Sequence, residues 1–212
     1  MKIGIIGSGP VATTLAAGFI KHAHDVTIGT REAAKLAEFA KANPKAKIGN
    51  FADAAKFGEV VVLAVKGTAA ENALSLAGSA NLAGKTVIDT SNPIADAPPQ
   101  NGILKLFTSM NMSLMEQLQE KFPTAKFVKA FNSVGAAAMV NPAFKDGKPT
   151  MFIAGNEASA KKTVAAIVGQ FGWEVEDVGV AVAARAIEPL CMLWCSSGFL
   201  KNDWFHAFKM LR

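Results

Sequence analysis

Residues Lys2 to Phe19 read KIGIIGSGPVATTLAAGF, and the way this stretch is parsed decides the fold. KIGIIG is short, apolar and rich in isoleucine, as a buried strand is. VATTLAAGFIKH then repeats its apolar residues at helical spacing. Between them Gly7, Gly9 and Ala12 stand in a Gly-x-Gly-x-x-Ala pattern, with Ser8, Pro10 and Val11 filling the turn. The first glycine permits a tight turn and the second lets backbone approach a pyrophosphate. The small third residue lets helix and strand pack closely. Pro10 lacks an N–H but suits the first turn of a helix. Val11 and Ala12 offer their N–H groups to a phosphate, with the helix dipole behind them. Such a pattern also occurs as a plain glycine turn. Its place between a strand and a helix, with another strand following, points to a dinucleotide.

The following strand decides which dinucleotide. VTIGTRE ends in Gly29, with Thr30 and Arg31 next. A carboxylate at this strand end would bond a ribose 2′-hydroxyl and repel a 2′-phosphate. Gly29 removes it, the Thr30 hydroxyl can donate, and Arg31 can make charge-assisted bonds to phosphate oxygens. Glu32, read as an early helical residue, can point away. The competing reading makes Arg31 a solvated charge at a helix start. With the glycine turn before it, the pair reads as a grip for NADP(H).

Working outward, apolar strands alternate with helical patterns to about residue 180. DVTIGT, KIGN, EVVVLAV, KTVIDTSNP, AKFVKAFN, PTMFIAG and WEVEDVG read as strands. EAAKLAEFAKA, FADAAKF, residues 68–78, SLMEQLQEKF and ASAKKTVAAIVGQF read as helices, with a polar loop before SLMEQLQEKF. That alternation predicts an α/β protein with a Rossmann doubly wound, mainly parallel sheet. Residues 1–180 form the expected NADP-binding domain. Residues 181–212 are apolar, rich in tryptophan and phenylalanine, and predicted to be a helical extension and a dimer interface.

Half of the 212 residues are hydrophobic, enough for a sizeable core. Net charge is +5, but no basic run is denser than KANPKAK, so nucleic acid is not the expected partner. The apolar stretch VGVAVAARAIEPLCMLWCSSGFL is interrupted by Arg185, Glu188 and Pro189 and reads as a buried helix, not a membrane span. MKIGIIGSG is too short and too glycine-rich for a secretory signal. Two cysteines, Cys191 and Cys195, and three histidines make no metal cluster, and a cytoplasmic protein with reduced thiols is expected.

Chemistry in an open α/β sheet belongs outside the carboxyl ends of the strands. Candidates there are Ala64, Val65 and Lys66, then Asp89, Thr90, Ser91 and Asn92, then Asn132, Ser133 and Val134 before a run of small residues. Asn-Pro and Ser-Val-Gly are also ordinary turn punctuation. The chain has no tyrosine, which excludes a tyrosine–lysine proton relay. His22, His24 and His206 end no central strand. No side-chain acid or base is assigned. Such a site suits hydride transfer to an acceptor that carries its own redox chemistry, as flavins and deazaflavins do.

The chain resembles a known family, the NADPH-dependent reductases of the deazaflavin coenzyme F-420. The resemblance spans essentially the whole chain. It rests on GIIGSGPVATTLAAGF, VTIGTRE, VVLAVK, VIDTSNP, VKAFNSVGAAAM, PTMFIAGNEASAKKTV and AARAIEPLCMLW. VKAFNSVGA and the closing AARAIEPL…FKMLR are its more specific parts, and QNGILKLFTSMNMSLMEQLQ resembles bacterial relatives. It implies NADP phosphates around Ser8, Gly9, Pro10 and Val11, and the 2′-phosphate at Thr30 and Arg31. It implies a nicotinamide near Ala64, Val65, Asn132, Val134 and Ala136, with the acceptor ring over it and the C-terminal helices building a homodimer. Lys66 stands where archaeal deazaflavin-using members have proline, and Asn132 where they have histidine.

The function expected is therefore NADPH-dependent hydride transfer to a small-molecule acceptor, coenzyme F-420 or a flavin. Two other readings stay open. One is a β-hydroxyacid dehydrogenase or imine reductase. DTSNP and GFLKN resemble the substrate and lysine motifs of the former, with Lys201 as the acid, although the last thirty or so residues are few for that family's second helical domain. The missing acid and base also fit an NADPH-binding sensor without turnover.

Overall fold

The run that opens the chain becomes β1 (Lys2–Ile6), the inner strand of a parallel sheet covered on both faces. Burial from two sides is why its sequence is continuously apolar instead of alternating. A computed structural model describes all 212 residues. The sheet adds β2 (Asp25–Gly29), β3 (Lys47–Gly49), β4 (Val60–Leu63), β5 (Thr86–Asp89) and β6 (Lys126–Lys129). Their spatial order is β3-β2-β1-β4-β5-β6, every pair parallel, with Ile5 of β1 opposite Ile28 on one side and Val62 on the other. This is the doubly wound Rossmann order. Its direction reverses between β1 and β4, which opens a crevice at their carboxyl ends.

The helices are α1 (Pro10–Lys21), α2 (Ala37–Ala42), α3 (Phe51–Phe57), α4 (Gly67–Ala77) and α5 (Ser79–Leu82), then α6 (Leu114–Lys121), α7 (Ala158–Gln170) and α8 (Ala184–Lys201). Successive strand residues point to opposite faces, so two cores form. In one, Leu15 and Phe19 of α1 and Val164 of α7 join Ile3, Ile5, Val62 and Ile88. In the other, Ala55, Leu74, Leu118 and Ile187 join Ile6, Val61, Leu63, Val87 and Phe127, so α8 is built into the main body. No helix is long and apolar enough to cross a membrane.

After β6 come β7 (Thr150–Ile153) and β8 (Glu174–Asp177), a separate parallel pair joined by α7. One antiparallel bridge, Lys129 to Ala154, ties the pair to β6.

Three local expectations need correction. The helix expected over EAAKLAEFAKA is a 3-10 turn at Ala33–Leu36 followed by the six-residue α2. Glu32 is extended, not helical, because its N–H is held by the Thr30 hydroxyl. Lys35 then bonds Glu32 at i,i+3 through both backbone and side chain, the spacing a 3-10 turn aligns. The C-terminal helix stops at Lys201, where Asn202 takes a left-handed cap conformation. From there the chain runs back to β7, with Thr150 N–H donating to the Phe208 carbonyl.

The third correction concerns the polar loop before α6, where the segment Pro93–Phe107 is a folded-back hairpin. Ile94 pairs with Leu106 and Gln100 with Ile103, around Asn101 and Gly102, both at positive φ. Asn-Gly is the dipeptide such a two-residue turn selects.

Candidate functional site

A cavity of about 890 Å³ opens at the carboxyl ends of β1, β2, β4 and β5. Its floor is the Gly7–Val11 turn. Gly7 has φ +138, and a Cβ there would run into the carbonyl oxygen of Ala64, so β1 and β4 close up only around glycine. Gly9 differs: a Cβ built on it meets nothing within 4 Å, because the residue borders open cavity. Gly9 also caps α1 with no side-chain bond. The first intrahelical bond runs from Thr13 N–H to the Gly9 carbonyl, leaving the Val11 and Ala12 N–H groups without helical partners. A bare helix end facing an open space suits an anion.

At the β2 end, Thr30 and Arg31 line the cavity together with Glu32 and Lys35. Thr30 is buried, and its hydroxyl lies 3.1 Å from both Ser8 Oγ and the Glu32 carbonyl. It therefore shapes the turn. Glu32 does not point away. It borders the cavity, where Lys35 Nζ sits 2.9 Å from its carboxylate and, with Arg31, draws it below its usual range. Arg31 has no hydrogen-bond or ion-pair partner in the chain. One cation is neutralised and one is free.

On the far side, Ala64, Val65 and Lys66 follow β4, and Thr90, Ser91 and Asn92 follow β5. Ala64 is buried and Val65 half-buried, while Lys66 projects into solvent with Nζ 3.6 Å from Asp96. The inner arm of the hairpin, Ile94–Pro98, closes this side of the cavity.

Asn132, Val134 and Ala136 are not in the cavity wall. Asn132 lies just behind it, donating to Asn92 Oδ1 (3.0 Å) and to the Ile187 carbonyl (3.0 Å), while Asn92 donates to the Asn132 carbonyl (2.7 Å). The Oδ1 of Asn132 is buried without a donor. Val134 belongs to the core, and Ala136 opens a 3-10 turn beside Gly135, on which Trp194 packs. Trp194 of α8 thus packs over Gly135, within the small-residue run expected to admit a ring. Lys201 is exposed in the last turn of α8, outside the cavity wall, and His22 and His24 bond Asn141 and Gln170 at the far end of α1.

Three features escaped sequence reasoning. Lys35 follows Arg31 by four residues and needed only the question of which neighbours share its turn. The hairpin was signalled by Asn101-Gly102. The third is a buried cluster: Lys129 Nζ lies 2.6 Å from Asp89 and 2.8 Å from Glu188, all three out of solvent. Burial by itself would lower the lysine, but the two carboxylates outweigh it and raise its pKa. Its signal was a charge inside each of three apolar runs.

Glycine turn, bare helix end and switch-point crevice together define the class: a dinucleotide-binding α/β fold. Residues 2–93 match the family described as NADP oxidoreductase coenzyme F420-dependent. The crystal structure of a proposed F420 dependent NADP-reductase from Arthrobacter sp. FB24 is 35% identical and superposes with a TM-score of 0.94, covering 100% of both chains. The chain belongs to this family of F420-dependent NADP oxidoreductases, and it is an NADP-dependent oxidoreductase. Metalloreductase STEAP3 of Rattus norvegicus is 31% identical over 199 residues, 89% of this chain and 36% of the relative, so the chain spans about a third of that protein. A reductive aminase from Aspergillus terreus, solved with NADPH and ethyl-5-oxohexanoate, shares the fold at a TM-score of 0.68. It is 16% identical, over 95% of this chain and 63% of that one.

Proposed function

We propose that the enzyme transfers hydride between NADP(H) and a flat redox ring, a deazaflavin such as coenzyme F-420 or a flavin. One observation carries the acceptor half. The cavity wall at the β4 and β5 ends offers Ala64, Val65, Thr90, Ser91 and Asn92, with no histidine, tyrosine or uncompensated carboxylate. The charged groups that do line the cavity, Arg31, Glu32, Lys35, Lys66 and Asp96, are exposed at its rim. An acceptor that needs a side-chain proton donor is poorly served there. A ring that takes hydride and draws its proton from water is well served.

In this reading the Gly7–Val11 turn takes the pyrophosphate and Arg31, seconded by Lys35, takes the 2′-phosphate. Ala64 and Val65 give the nicotinamide a flat apolar wall, and Asn132 holds Asn92 in position. Bound NADPH supplies two electrons and a proton as hydride. The protein's part is to set donor and acceptor rings about 3–3.5 Å apart. The reading includes a cytoplasmic setting and a homodimer. The dimer is supported by exposed Leu193, Phe199, Leu200 and Phe205 on α8 and the tail.

The test is NADPH oxidation followed by nicotinamide absorbance, with coenzyme F-420, FMN, FAD and riboflavin offered separately. Turnover with a deazaflavin or flavin supports the reading and names the acceptor. Tight NADPH binding without turnover on any of them moves the protein to the sensor class.

A further inference from the structure

The cluster behind the β5 wall has a charge the cavity must feel. Asp89 Oδ1 accepts from the Ser91 N–H (2.9 Å) and hydroxyl (2.6 Å), and its Oδ2 accepts from Lys129. Glu188 accepts from the Leu114 and Met115 N–H groups, at 2.8 and 3.0 Å, and from Lys129. Each of these carboxylates is met by donors, and Glu188 meets only N–H groups and the Lys129 ammonium. Two carboxylates and one ammonium leave a net charge of −1 in the interior. The end of α6 softens that charge without cancelling it, since a helix terminus carries about half a unit. The Cys191 thiol adds nothing, because contact with Cys195 and burial push it up.

The position matters as much as the sign. Lys129 also donates to the Ser91 carbonyl at 3.0 Å, and Ser91 lines the cavity. Ser91 therefore touches both the charged cluster and the cavity. A buried ion cluster costs desolvation that an apolar packing would avoid, so its presence calls for a use besides stability.

We propose that the Asp89–Lys129–Glu188 cluster places a buried negative charge beside the nicotinamide end of the cavity, favouring the cationic oxidised ring over the neutral reduced one. This rests on the assignment of that end of the cavity to the nicotinamide. The consequence is a lowered potential of the bound couple and a stronger hydride donor. Asp89, Lys129 and Glu188 are positioning residues that act by field, not by contact.

The experiment is equilibrium binding of NADP⁺ and of NADPH to the full chain and to Glu188→Gln and Asp89→Asn, each shown by thermal unfolding to be folded. Each substitution removes one unit of negative charge and keeps the side-chain shape. The ratio of the NADP⁺ to the NADPH dissociation constant is expected to rise about tenfold in both variants. That corresponds to about 30 mV in a two-electron potential. A merely structural role would weaken both nucleotides alike, and an unchanged ratio in a folded variant overturns the inference while leaving the proposed function standing. Wild-type protein that binds neither nucleotide removes the reading beneath it.

Discussion

Replacing Arg31 by glutamate isolates the feature that separates NADP from NAD. The side chain is exposed at the cavity rim and bonds nothing in the chain, so folding stability is expected to change by no more than about 0.5 kcal/mol. What is lost lies in the complex. A charge-assisted bond to phosphate contributes about 1.5–3 kcal/mol, and each 1.4 kcal/mol is tenfold, giving about 10- to 150-fold weaker NADP binding. Lys35 stays, but it is paired with Glu32 and replaces only part of the missing charge. NAD has no 2′-phosphate, and its affinity is expected to hold within about twofold. Calorimetric titration of both nucleotides reads the difference, which is expected to shrink in about 1 M salt as exposed charges are screened. NADP affinity unchanged in the mutant refutes the assignment. So does an equal loss for both nucleotides, which would point to damage of the turn and not to a missing phosphate contact.

Gly7→Ala forces a Cβ onto the Ala64 carbonyl at φ +138, and is expected to cost about 2 kcal/mol or more in thermal unfolding while weakening NADP and NAD together. Asn132→Ala removes the donors to Asn92 and Ile187. It is expected to lower turnover more than NADPH affinity, with a stability loss of about 1–3 kcal/mol. Burial would raise Glu116, but the Arg185 fork and Ser113 outweigh it and hold the carboxyl at about 2, against 4.5 when free. Its stabilisation is therefore complete above 4.5 and disappears as pH falls through 2. The stability gap between wild type and Arg185→Met, wide near neutral pH, should close across that window in a series of denaturant titrations.

Much of the architecture was legible because local patterns and tertiary burial agree. β1, β4 and β5 are short runs of isoleucine and valine, and the sheet covers them on both faces. The site was legible where backbone geometry dictates residue type: Gly7 and Gly9 answer to a turn and an open space, and Gly29 to the close approach of the Asn50 carbonyl at the start of α3. Legibility failed where a residue's role depends on a partner distant in the chain. Val134 and Ala136 looked like a seat for a ring until α8 laid Trp194 over Gly135. Lys66 does line the cavity, but its backbone caps α4 and its side chain pairs at the rim with Asp96, a partner 30 residues further along the chain.

By itself the sequence determined the strand–turn–helix opening, the doubly wound order and the cation at the end of β2. Each follows from the conformational limits of glycine and from which residues a parallel strand can bury. Only the tertiary structure decided that Lys129, Asp89 and Glu188 meet, although they are 40 and 59 residues apart along the chain. No local rule places a lysine between two carboxylates in an apolar interior. The cluster exists because β5, β6 and α8 converge there and an ion cannot be left alone out of water.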